Sequence, residues 1–152
     1  MMKDAVVAAL REELERRVDD LQRSQKQATA SMRVDGDHRP ANRGERGAVT
    51  AAGYLTAGLE ERLTELRAAL DLLDRAGSGP RDRAVTGALL TVEAHSDGEE
   101  RTYFVFPGAS GTTLGEVTVV SPESPVGSAL WGLAEDDDAE LPTGAVTLIS
   151  VC

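Results

Sequence analysis

The chain has 152 residues, 41% of them hydrophobic and 28% charged, a composition that folds and is neither disordered nor fibrous. Its one cysteine, Cys152, excludes a disulfide framework and leaves no thiolate set for a structural zinc. No apolar run is long enough to span a bilayer, and the start, Met1-Met2-Lys3-Asp4, turns charged at once without a signal-peptide pattern, so a cytoplasmic protein without membrane contact is expected.

The net charge of −10 is unevenly placed. Residues 1–76 hold 13 basic and 14 acidic side chains, whereas residues 77–152 hold 3 and 12. The C-terminal half is therefore expected to avoid nucleic acid and to favour a basic protein surface, which argues against direct sequence-specific DNA binding. Aromatic residues make up only 3%, so any core is built mainly from Ala, Leu and Val.

Residues 5–32 read as one helix. Val7, Leu10, Leu14, Val18, Leu21, Gln25, Ala28 and Met32 recur at steps of three and four with no Pro or Gly between them. Asp4 is the expected N-cap. Such a helix spans about 40 Å at 1.5 Å per residue. A polar break from Val34 to Gly47, containing Gly36, Pro40, Gly44 and Gly47, cannot continue it. A second helical pattern runs from about Ala48 to Arg75, with Ala52, Leu55, Leu59, Leu63, Leu66, Leu70 and Leu73 as its stripe. Two long helices joined by a short polar link pair as an antiparallel hairpin with the Leu stripes as its seam. Periodicity alone leaves open a merely structural or dimerising coiled coil. The expected organisation is a hairpin over residues 1–76 with a tip loop at about 34–47, a linker at 77–83 and a C-terminal domain at 84–152.

Ala76-Gly77-Ser78-Gly79-Pro80 is a linker by composition. Beyond it Val85–Ala94 and Arg101–Phe106 read as strands around a His95-Ser96-Asp97-Gly98 turn. Gly115–Val120 reads as a third strand, Ser124–Trp131 as one or two helical turns, and Ala145–Val151 as the last strand. The fold class is thus α+β, a long helical hairpin followed by a small β-rich domain.

Residues that could carry chemistry are few. His38 and His95 both fall in turns without metal-spaced neighbours and read as solvated. No serine or threonine sits in a nucleophile elbow, so no intrinsic catalytic residue is assigned. Glu135-Asp136-Asp137-Asp138 lacks calcium-loop spacing and reads as a solvated turn. Carboxylates also gather at the hairpin tip as Asp35, Asp37 and Glu45. At the end of a long rod they could be delivered into another protein's cavity, to hold a divalent cation or orient a water.

Residues 124–132, Ser-Pro-Val-Gly-Ser-Ala-Leu-Trp-Gly, resemble the Ser-Pro-Ile-Gly-x-Ala-Leu-x-Gly signature of the GreA/GreB transcript-cleavage factors. Arg11-Glu12-Glu13-Leu14 is similar to part of that family's first helix, and Glu60-Glu61-Arg62-Leu63 with Leu66 to part of its second. The resemblance implies an FKBP-like C-terminal domain docking at the rim of bacterial RNA polymerase's secondary channel, and a coiled-coil hairpin entering that channel. It implies docking through Ser124, Pro125, Gly127, Ala129, Leu130, Trp131 and Gly132. Trp131, at a position usually aliphatic in the motif, is either core or an exposed anchor on the polymerase. A cofactor of the chain's own is not expected.

The family's tip motif, Gly-Asp-Leu-x-Glu-Asn-Ala-Glu-Tyr, helps the polymerase hold magnesium and position water for RNA cleavage. Here Gly36-Asp37-His38 resembles its first half and Glu45-Arg46-Gly47-Ala48 its second, so Asp37 and Glu45 are the implied ligands of a magnesium ion shared with the polymerase. An alternative alignment puts Asn42 where the Asp belongs. Extra residues, including Arg39, Pro40 and Arg43, separate the halves, which leaves the carboxylates poorly pre-organised. An inhibitory or regulatory channel-binding monomer is therefore favoured over a true cleavage factor. A dimeric coiled-coil scaffold is the alternative from another class. A prolyl isomerase reading is weak, since only Tyr103, Phe104, Phe106 and Trp131 could line an aromatic pocket.

Overall fold

The computed structural model describes the backbone of residues 2–32 and 43–152, and side chains outside Thr29 and residues 31–56. The element order is α1 (Lys3–Met32), α2 (Arg43–Ala76), β1 (Leu89–Ala94), β2 (Glu100–Val105), β3 (Thr113–Leu114), β4 (Val117–Val120), α3 (Pro125–Leu130), β5 (Asp138–Leu141) and β6 (Gly144–Val151). The class is α+β, with two long helices ahead of a mixed sheet.

The chain forms two compact units, Met1–Leu14 with Ala69–Cys152, and Glu15–Ala68. The boundary between these units crosses both long helices.

The seam expected from periodicity is buried in both units. Val6, Val7, Leu10, Leu14, Ala69 and Leu73 are buried in the first, and Ala28, Leu59 and Leu63 in the second. Arg11 pairs with Asp74, and Gln25 Nε2 donates to Glu60 Oε1 at 3.3 Å. The first pair lies within the first unit and the second pair within the second. Two helix starts differ from expectation. Val6 N–H donates to Met2 O, so α1 begins before Asp4, whose carboxylate lies in the first turn where the helix dipole favours it. Helix α2 begins at Arg43 and so takes in Gly44 and Gly47. Both glycines lie within its first five residues, where few intrahelical bonds are yet made, and no proline follows Pro40 before Pro80 to stop it.

The six strands form one mixed sheet ordered β3-β4-β2-β1-β6-β5. Neighbours are antiparallel except β2 and β4, which are parallel with Phe104 opposite Val119. A helix lies on one face. Leu130 of α3 is fully buried there with Leu90, Val92, Tyr103, Val105, Val120, Val146 and Leu148. Phe104 and Phe106 are also fully buried and stack at 6.3 Å between centroids.

Two strands escaped sequence reading. Asp138 opens β5 instead of closing a solvated turn, and Asp136 makes that turn at φ 74°. Strand β3 is only two residues long. Val85–Ala88, read as strand, forms a turn instead, because Gly87 sits at φ +87° and donates to Val105 O at 2.8 Å.

Residues 77–83 read as a free linker by composition but are tied within the first unit. Gly77 N–H donates to Leu73 O at 2.8 Å, closing the last turn of α2. The Arg81 guanidinium donates to the carbonyls of Ala76 (2.9 Å), Pro80 (3.1 Å) and Thr86 (3.2 Å). Lys3 Nζ donates to Gly79 O and, at 3.1 Å, to Cys152 O. Burial, reinforced by the nearby Arg81 charge, lowers the Lys3 pKa from its ordinary value.

Candidate functional site

The segment after β4 explains its own sequence. Ser124 is the N-cap of α3, with extended backbone, and its Oγ accepts from Gly127 N–H at 3.0 Å. The same hydroxyl donates to Ser121 O at 2.8 Å. Pro125 takes the first helical position, where its missing N–H costs nothing. Gly127 is buried so close to the preceding turn that a Cβ there would lie 1.8 Å from Ser121 O. Leu130 is the core residue. Trp131 is the C-cap, and Gly132 follows in the left-handed region at φ +78°. Gly132 N–H donates to Ala84 O at 2.9 Å, and Ala84 N–H returns to Leu133 O at 2.8 Å.

Most of the candidate docking residues therefore shape the site from within. Gly127 and Leu130 are buried, and Ala129 is partly buried against the core. The exposed positions are Pro125, Ser128 and Trp131, three apart along one side of α3. Ser128 was not singled out from sequence, since its motif position tolerates any residue. Trp131 is 46% exposed, which decides against the core reading. Together with Met2 it is one of two exposed large hydrophobic residues among those described.

Of the tip candidates, Asp35, Asp37 and Asn42 lie outside the described residues. Glu45 falls in the first turn of α2, with its side chain outside the described set. Among the described residues, no group of three or more His, Cys, Asp or Glu could hold a metal ion.

His95 does make a polar cluster. Its Nε2 lies 2.7 Å from Thr147 Oγ1, and that hydroxyl donates to Asp138 Oδ1 at 2.6 Å. The Thr147 proton is thus committed to Asp138, so the imidazole faces an oxygen lone pair and must donate. This is the reverse of a base activating a nucleophile. Tyr103, Phe104 and Phe106 are all buried. None of them lines the cavity of about 130 Å³ bordered by Val92, Asp97, Arg101 and Leu141.

Among the described residues, no helix is long and apolar enough to cross a membrane. Residues 79–151 match the family described as "Transcription elongation factor, GreA/GreB, C-term". A search of curated proteins found no relative that matches. Among solved structures, the chain is similar to GreA factor homolog 1 (Gfh1) of Thermus thermophilus, at 23% identity over 93% of this chain and 94% of that one, with a TM-score of 0.41. It is similar to Thermus aquaticus Gfh1 at 21% identity over 95% and 94% of the two chains, with a TM-score of 0.40. A GreA/GreB elongation factor from Nitrosomonas europaea shares 27% identity over 57% of this chain and 78% of its own, with a TM-score of 0.39. The family match spans the sheet, the α3 signature and the last strand, so residues 79–151 are a GreA/GreB C-terminal domain.

Proposed function

We propose that the chain binds bacterial RNA polymerase in the cytoplasm, docks by its C-terminal domain at the rim of the secondary channel, and sends its helical hairpin toward the active site. There it slows or redirects catalysis instead of stimulating RNA cleavage. The observation that carries the reading is the GreA/GreB domain at residues 79–151, following two helices of 30 and 34 residues. A 30-residue helix is about 45 Å long at 1.5 Å per residue, a length suited to reaching into a channel. The chain acts on the polymerase's catalytic centre and is not itself the enzyme.

The choice of inhibition over cleavage rests on the tip sequence. In the family motif only two residues lie between the Asp and the first Glu. Asp37 and Glu45 are separated by the intervening run His38 to Gly44, which includes Arg39, Pro40 and Arg43. Guanidinium groups beside the carboxylates compete with a cation for them, and a misplaced carboxylate loses much of its catalytic value.

Backtracked elongation complexes test both readings. The wild-type chain is expected to slow nucleotide addition and to leave RNA cleavage at its unassisted rate. Faster cleavage that disappears in the Asp37→Ala, Glu45→Ala double variant would instead establish a cleavage factor using magnesium shared with the polymerase. A chain that binds no polymerase and forms a stable homodimer by light scattering would be a coiled-coil scaffold.

A further inference from the structure

We infer that Trp131 is the anchor of the docking surface, and that the polymerase surface it enters is an apolar pocket bordered by Lys or Arg side chains. The inference rests on the polymerase-binding reading and names the partner chemistry for it. A tryptophan nearly half exposed at the end of a helix, with Pro125 and Ser128 on the same side, leaves a large apolar area uncovered in this chain. Tryptophan at the centre of an interface is among the residues that contribute most to binding. The backbone beneath it is fixed by Gly132 N–H on Ala84 O and by Arg83 Nη1 on Gly132 O at 3.1 Å, so little order has to be gained on docking.

The chemistry of the occupant follows from the surrounding charge. Glu123 lies exposed just before α3, and Glu135 and Asp136 lie exposed just after Trp131. Arg83 is the basic group beside them, and one of its guanidinium nitrogens is turned to the Gly132 carbonyl. The whole segment 77–152 has only 3 basic side chains against 12 acidic ones. A second copy of this surface would bring like charges together. A basic rim around an apolar pocket complements it, steering association and suppressing wrong partners.

The test uses purified core RNA polymerase and the full chain, labelled for fluorescence anisotropy. Trp131→Ala is expected to weaken binding at least about 30-fold, the range of an interface hot spot, while Trp131→Phe keeps most of the affinity. The double reversal Glu123→Lys, Glu135→Lys is expected to weaken binding and to flatten its salt dependence. Trp131 is the only tryptophan in the chain, so 5-fluorotryptophan gives one fluorine resonance, expected to shift and broaden when polymerase is added. Unchanged denaturation midpoints for all three variants separate lost contact from lost fold. Wild-type binding that Trp131→Ala leaves intact, with an unmoved fluorine resonance, overturns the anchor and leaves polymerase binding standing. Absence of wild-type binding overturns both.

Discussion

Gly127→Ala is expected to unfold or grossly destabilise the C-terminal domain, by about 4 kcal/mol or more, although the change adds a single methyl group. The methyl carbon would lie 1.8 Å from Ser121 O and 2.9 Å from Ser124 Oγ, and the first of these is backbone that no rotamer change can move aside. Relief requires parting β4 from the start of α3, which breaks the Ser124 cap and withdraws Leu130 from the core under the sheet. A loss of that size is a large share of the 5–15 kcal/mol or so that holds a typical domain together. Urea denaturation measures it. Ser128→Ala, one residue on but exposed, is the matched control and is expected to stay within about 0.5 kcal/mol of wild type. Equal midpoints for the two variants would show that the turn before α3 is not held as described.

Gly87→Ala is expected to cost about 3 kcal/mol or more and to loosen the end of α2 from the sheet. Its φ of +87° already penalises any Cβ by about 1–2 kcal/mol. That Cβ would also stand 2.0 Å from Ala76 O, the carbonyl that accepts from Arg81 Nη2. The contact joins the last residue of α2 to the loop entering β1, so its loss frees the helix end and not only the loop. Hydrogen exchange reads this locally. The amides of Gly77 and Gly87, bonded to Leu73 O and Val105 O, are expected to exchange much faster in the variant. Unchanged exchange at Gly77 would mean that α2 ends independently of the sheet.

Both glycines show where sequence reasoning reached and where it stopped. The helical seam was legible because Leu10, Leu14, Leu59, Leu63 and Leu73 repeat at a period fixed by helix geometry, which needs no knowledge of the rest of the fold. The α3 signature was legible as a resemblance, but its reasons were not. Gly127 is required by a carbonyl six residues earlier, and Gly132 sits in the left-handed region at the helix end. Leu130 is required by strands on both sides of it in the chain.

The hydrogen bonds that hold residues 77–83 were not legible either. Gly and Ser usually mean freedom, but Arg81 gathers three carbonyls that lie at most five residues from it, and composition carries no sign of that geometry. Strand β5 escaped notice because Asp138 and Glu140 are exposed edge positions, with only Leu141 buried in the four-residue strand. Trp131 could be read as core or anchor until its exposure was known, since a side chain of that size suits either. The tip candidates Asp35, Asp37 and Asn42 remain assignments from sequence.

Insertion of the tip region toward the polymerase active site is tested with a tethered cleavage probe. An iron chelate attached at Asp37→Cys, in a Cys152→Ser background that removes the exposed native thiol, generates hydroxyl radicals within a short radius of the tip. With the chain bound to RNA polymerase, cuts are expected in the polymerase segments that surround its catalytic magnesium. Cuts confined to the enzyme's outer surface, from a chain that binds it, would contradict insertion into the secondary channel.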